Sequence, residues 1–181
     1  MKKNKRLIPV LLLKNGMLVQ SREFNRHQIL GNPITAVKRL SEWASDELIY
    51  LDISRDDNYD LKRDDQGYEN IKSFLGIIEY ISKETFMPIT IGGKIKKLID
   101  IEKRLMLCAD KVCVNTKAIE ERKFISNAAK EFGSQCIVVS VDAKKVENEF
   151  YVYSNFGKVN SKIKVSDWLK IVQEEGAGEI L

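Results

Sequence analysis

Two aspartates stand at the ends of apolar runs, where a carboxylate is costly to bury unless it is hydrogen-bonded or does chemistry. Asp52 follows ELIYL and Asp142 follows CIVVSV. Either has the chemistry of a general acid or base; the competing reading is an aspartate that caps the helix after its strand. Two short polar signatures follow other apolar runs: Gly92-Gly93-Lys94 the third, and Asn115-Thr116 the fourth. Paired glycines let backbone N–H groups close on an anion, and helix N-termini favour phosphate. Asn and Thr would add side-chain donors; a plain turn with an N-cap is the alternative. The spacing fits neither a P-loop nor a dinucleotide fingerprint. Four charged residues open strands: Arg6, Glu47, Lys111 and Glu179. In a parallel barrel strand starts gather at one end, and these alternating signs would form a ring of salt bridges there. Otherwise they are ordinary strand-end charges facing water. His27, the only histidine, falls in a polar stretch that reads as a surface loop.

The elements that must position these residues are legible as alternation. Apolar runs rich in Ile, Val and Leu occur at 7–13, 47–53, 87–91, 111–114 and 136–141, and another begins at Glu179. They mostly lack polar alternation, as strands buried on both faces of a parallel sheet do. Helical spacing fills the gaps at 33–45, 68–83, 97–107, 119–132 and 165–175. Asn32 before Pro33 predicts an N-cap with proline at the first helical position. Ser166 is a second candidate cap, and Trp43 and Trp168 lie at core spacing on their helices. Strand then helix, repeated about five times, predicts an α/β fold with a parallel sheet. Periodicity leaves both an open doubly wound sheet and a closed barrel. Residues 149–159 read as a small β-hairpin inserted after the fifth strand. No Pro- or Gly-rich linker divides the chain, so one domain is expected.

Composition narrows the classes. The chain has 181 residues, 44% hydrophobic and 31% charged, with a net charge of +4, as in a globular domain. Basic residues are not clustered with aromatics, which argues against a nucleic-acid partner. The densest basic run, residues 2–6, reads as a solvated tail. Cys108, Cys113 and Cys136 form no CxxC pair, so neither a disulfide framework nor a zinc site is expected. Cys113 and Cys136 lie in apolar runs and read as buried free thiols in a reducing compartment. No run approaches transmembrane length and no cleavage site follows the N-terminus, so a cytoplasmic location is expected, with no membrane partner.

Taken together, a series of short motifs resembles the cyclase subunit of imidazole glycerol phosphate synthase. They are Arg6-Leu-Ile-Pro9, Lys14-Asn-Gly16, Gly31-Asn-Pro33, Asp46-Glu-Leu48 with Leu51-Asp-Ile53, and Pro88-Ile-Thr-Ile-Gly-Gly93. Ala109-Asp-Lys-Val112 with Asn115-Thr116, Phe132-Gly-Ser-Gln135, Val141-Asp-Ala-Lys144 and Gly176-Ala-Gly-Glu-Ile-Leu181 complete them in the family's order. The resemblance implies a (β/α)8 TIM barrel built from two similar halves. Only about the first five βα units and the start of the sixth strand are present. Residues 1–181 are then a single incomplete barrel domain: the N-terminal half-barrel plus the fifth βα unit. It implies a heterodimer with a glutaminase subunit, whose ammonia crosses the barrel core. There it splits a phosphoribulosyl-formimino-aminoimidazole carboxamide ribonucleotide into imidazole glycerol phosphate and an aminoimidazole carboxamide ribonucleotide. Neither metal nor cofactor is implied.

Carried over residue by residue, the family's ammonia gate is Arg6, Glu47, Lys111 and Glu179, which favours the ring reading. Its first phosphate site is Gly92, Gly93, Asn115 and Thr116, with Lys94 in place of a third glycine and Asp52 beside it. A lysine can pair with phosphate as a point charge. The second catalytic aspartate is Asp142. The first falls at Leu12 in Val10-Leu-Leu-Leu13, and leucine transfers no proton. A lysine of the first active-site loop is Gln20 here, and the second phosphate site lies beyond Leu181. Leu-Leu-Leu-Lys at the first strand is similar to paralogues associated with surface-glycan biosynthesis, where ammonia converts an acetamido to an acetamidino sugar. Three readings follow: such a paralogue, an authentic histidine-pathway cyclase, or a non-catalytic scaffold that activates the glutaminase. The apolar run entered at Leu181 suggests a truncated chain with unpaired sheet edges. It is expected to aggregate or to pair with a second copy, and a monomer that melts cooperatively in sedimentation and calorimetry would refute this.

Overall fold

In a computed structural model the described residues are 5–43, 45–55, 59, 71 and 73–181. The chain divides into two compact units, Met1–Lys94 with Arg104–Asp110, and Ile95–Lys103 with Lys111–Leu181.

The first unit opens with β1 (Val10–Lys14), β2 (Met17–Arg22) and β3 (Arg26–Gly31), a meander of antiparallel strands. Then come α1 (Pro33–Glu42), β4 (Leu48–Asp52), α2 (Phe74–Ser82) and β5 (Ile89–Gly92). β4 pairs parallel with β1 on one side and with β5 on the other. Leu13, Val37, Leu48, Tyr50, Ile78, Ile81 and Ile91 are fully buried, so the strands and helices share one core. The Tyr50 hydroxyl, sealed in that core, donates to the Pro33 carbonyl at 2.9 Å and fixes α1 against β4. The helix α3 (Leu98–Leu107) has its early residues in the second unit and its residues from Arg104 in the first.

The second unit continues with β6 (Lys111–Val114), α4 (Thr116–Glu120), α5 (Lys123–Phe132) and a 3-10 turn at Ser134–Cys136. β7 (Ile137–Val139) pairs parallel with β6. Next come β8 (Asp142–Val146), β9 (Glu149–Ser154) and β10 (Val159–Lys164), an antiparallel three-stranded sheet in the order β10-β9-β8. Then α6 (Val165–Glu174) leads to β11 (Glu179–Ile180), parallel to β7. Trp168, Val172, Val152 and Ile137 are buried together with Val112. The expected α/β character and the parallel pairing of the apolar runs both hold.

Several expectations need correction. The first strand starts at Val10, not Leu7, because Pro9 brings no N–H to a ladder. His27 lies in β3, half-buried, and not in a loop. The β2–β3 hairpin was hidden because its outer strand is mostly exposed and shows no apolar alternation. Yet Asn15-Gly16, with φ of 50° and 76°, turns β1 into β2 as a two-residue hairpin of the Asn-Gly kind. The inserted hairpin is present, with the exposed β8 as an unforeseen third strand. The helix expected at 119–132 is two helices. Four successive charges, Glu120 to Lys123, give no apolar residue to carry one face through, and Glu121 is extended. Trp43 is 72% exposed, since α1 ends at Glu42 before reaching it. Cys136 is only half-buried; Cys113 is buried, and burial pushes its thiol up to about 11. Of the helix expected at 68–83, residues 68–70 and 72 lie outside the described residues; α2 begins at Phe74, capped by Ser73.

Asn32 caps α1 as expected, its Oδ1 accepting from Ile34 N at 2.8 Å. Ser166 does not cap α6: β10 runs straight into the helix, whose N-cap is Lys164. Replacing Asn32 by alanine should therefore cost about 1 kcal/mol in denaturant unfolding, while Ser166→Ala should stay within about 0.5 kcal/mol. Equal losses would contradict this assignment of caps.

Candidate functional site

In the first unit the ends of β4 and β5 are locked together. Asp52, 4% exposed, accepts from the Ser54 N–H through Oδ1 at 2.9 Å, an Asx turn and not a helix cap. Its Oδ2 faces the Lys94 ammonium at 3.4 Å. Gly93, at φ +100°, presses on the Asp52 backbone so closely that a Cβ would come within 2.2 Å of the Asp52 carbonyl oxygen. Its own carbonyl accepts from buried Arg104 at 2.7 Å. Lys94 follows at φ +55°, a left-handed conformation that costs a side-chain-bearing residue about 1 kcal/mol. Its ammonium lies 6.0 Å from the Tyr59 ring centroid. Burial and the charge of Asp52 hold the Tyr59 phenol well above its ordinary value. Gly92, Gly93 and Asp52 are thus brought together. Tyr59 and Arg104 were missed; Arg104 carried a signal, being three residues beyond buried Ile101 on one helix face.

Leu12 sits in β1 opposite Val19 of β2 and Leu51 of β4. Asp52 is in register with Leu13, so it falls on the sheet face opposite Leu12. Gln20 also falls on the face opposite Leu12, paired with Gln28. Neither puts a proton-transfer group beside Leu12.

In the second unit Asn115, Thr116 and Asp142 come together. The Asp142 carboxyl takes a hydrogen bond from the Asn115 side chain and lies near Lys144. Burial outweighs both and raises it above the usual carboxylate range. Asn115 does not cap α4, and its Oδ1 is buried without a hydrogen-bond partner. The Thr116 Oγ1 accepts from Asn155 N at 3.1 Å, tying the turn of the inserted hairpin to the start of α4. Lys144 stands over the Tyr153 ring at 4.8 Å and donates to the Gly157 carbonyl. Asp142 opens β8, so it is no helix cap either.

The four charges expected at strand starts form ion pairs within each unit, although Arg6 lies before β1 and does not open it. Arg6 pairs with Glu47, which is buried just before β4. Lys111, the first residue of β6, pairs with Glu179, the first of β11, at 2.9 Å.

Residues 6–181 match the family model described as histidine biosynthesis protein. The chain belongs to this family. It is 38% identical over 177 residues to imidazole glycerol phosphate synthase subunit HisF of Natranaerobius thermophilus, covering 98% of this chain and 66% of that protein. The HisF subunit of Campylobacter concisus gives the same figures, 38%, 98% and 66%. That of Sulfolobus acidocaldarius is 36% identical over 178 residues, 98% of this chain and 67% of its own length. The chain therefore spans about two thirds of the length of the curated relatives it matches. Every strand-start charge and loop residue named above lies inside the family match. No helix among the described residues is long and apolar enough to cross a membrane.

The raised Asp142 gives a pH dependence whose sign is fixed. Its folded value lies above the unfolded one, near 3.8, so its contribution to stability is full below that pH and is lost as pH rises through the folded value. An Asp142→Asn variant cannot ionise. In urea unfolding it should gain on the wild type as pH rises from about 4, and converge with it in more acid solution. A difference independent of pH, or of opposite sign, would refute the raised carboxyl.

Proposed function

We propose that the chain is the front of a cyclase-type subunit that receives ammonia from a glutaminase partner, in a paralogue that amidates an acetamido sugar in surface-glycan synthesis. It is read as one incomplete (β/α)8-barrel domain in the cytoplasm. The substrate is phosphorylated or nucleotide-like, and it is not a nucleic acid.

The observation that carries this reading is Leu12. It stands where the family's first acid belongs, between Val19 and Leu51, with no carboxylate on its own face to replace it among the strands it pairs with. Losing one member of an acid–base pair costs about two to four orders of magnitude in rate. The entrance residues Arg6, Glu47, Lys111 and Glu179 are meanwhile retained and ion-paired, which supports continued delivery of ammonia. Asp142 serves as the remaining acid or base: its raised carboxyl keeps a proton to higher pH than an ordinary aspartate. Gly92 and Gly93 are read as phosphate contacts of the first unit, with Lys94 adding a point charge on its Asp52 anchor, and Asn115 and Thr116 as those of the second.

A second reading is the histidine-pathway cyclase itself, favoured by 36–38% identity to HisF subunits over nearly the whole chain. A third, a scaffold that only activates the glutaminase, is compatible with the lost acid. A subunit of the relatives' full length carrying this chain as its front separates them. It should fail to restore growth to a histidine auxotroph lacking its cyclase, and Leu12→Asp should improve growth. Growth without that change would overturn the paralogue in favour of the histidine enzyme. The subunit should also raise glutaminase turnover; ammonia-dependent conversion of any sugar substrate would exclude the scaffold.

A further inference from the structure

The β1–β3 meander carries a lysine–histidine pair that none of these roles uses. Lys14 Nζ lies 3.1 Å from His27 Nδ1. The register explains the meeting. Leu12 faces Val19, and Ser21 faces His27, so Leu12, Lys14, Val19, Ser21 and His27 all lie on one sheet face. An ammonium only donates, so Nδ1 accepts, and the ring is neutral with its proton on Nε2. The Asn25 carbonyl hydrogen-bonds the ring as well. Lys94 and Lys111 are each held by a carboxylate. Among the described residues Lys14 is held instead by a neutral acceptor, which orients its charge without cancelling it. The loop after β4 is tied to the same place, Asn15 N donating to Ser54 Oγ at 2.8 Å. The next residue, Arg55, is near enough for its charge to act on His27.

We propose that Lys14, positioned by His27 and supported by Arg55, is an oxyanion-binding point on the Leu12 face, for a phosphate or carboxylate group of the substrate. An anion there relieves the mutual repulsion of the cations and satisfies the remaining ammonium donors. His27 is a positioning residue, acting through Lys14. The inference rests on the proposed function only in assigning the bound group to the substrate; the anion site itself does not require it.

His27 is the only histidine, so its imidazole resonances identify themselves. The full chain is titrated with inorganic phosphate, and separately with acetate, at constant ionic strength set by chloride. Burial, then the charges of Lys14 and Arg55, hold the imidazole below its ordinary value, and the Asn25 carbonyl opposes them. Bound phosphate should shift its resonances saturably and raise its titration midpoint by roughly half a unit to one unit. Saturation by phosphate alone indicates a phosphate ester, and saturation by both anions a site that accepts carboxylates too. Lys14→Met should abolish saturation and Lys14→Arg should keep it. In calorimetry with phosphate, His27→Leu should weaken binding by about tenfold, while His27→Gln, whose carbonyl can accept from Lys14, should restore most of it. A shift that never saturates, or that is the same in Lys14→Met, would overturn the site. Loss of binding in His27→Gln equal to that in His27→Leu would overturn the positioning role. None of these measurements uses ammonia or a glutaminase, so they stand or fall separately from the proposed reaction.

Discussion

A carboxylate buried at the end of β4 constrains the loops around it. Removing one partner of such a buried charge costs about 3–5 kcal/mol, because the other charge is left without compensation. Asp52 accordingly meets a backbone N–H from Ser54 at Oδ1, the ammonium of Lys94 at Oδ2, and the backbone of Gly93 pressed against its own. Each requirement reaches further. Gly93 must be glycine because no Cβ fits, and its carbonyl is then fixed by Arg104 from α3. Lys94 must take a left-handed backbone to bring its ammonium down. A glycine would adopt that conformation freely; with lysine the chain accepts about 1 kcal/mol of strain and gains the counter-charge. The loop that could cradle an anion is thus shaped by the need to hold an internal one.

The chemistry-bearing side chains show the same division between charge that is cancelled and charge that is kept. Arg6 with Glu47, and Lys111 with Glu179, are matched pairs at or before the first residues of their strands. Elsewhere the balance differs. Asp142 sits where burial favours its protonated form, and the nearby Lys144 only partly opposes this. Lys14 is held by an imidazole that leaves its charge intact. Leu12 lies between apolar partners and neither donates nor accepts. The Leu12 face of the β1 sheet therefore offers the Lys14 cation and apolar surface, while Asp52, at the end of β4, is turned to the other face and paired with Lys94.

Much of this was legible before any coordinates. The apolar runs carried their own β signal, since strands buried on both faces need no polar alternation, and the Asn32-Pro33 start of α1 followed from capping chemistry. That position 12 carries leucine, which transfers no proton, was evident from the sequence alone. Other elements were not legible. β3 and β8 are exposed, and exposed strands lack the pattern that marks buried ones. Trp43 followed the helical period of α1, but the helix ended one residue earlier, so the period placed it wrongly in the core.

What the sequence by itself determined is the alternation of elements, the family, and the residue types available at each strand end. These depend on local propensity and on motif order, which survive without knowledge of partners. What only the tertiary structure decided is which charge meets which. Lys94 could have faced solvent or a ligand, and it faces Asp52; His27 could have been a surface residue, and it holds Lys14. Those pairings join residues 42 and 13 positions apart across strand register, a distance over which sequence spacing carries no information about contact.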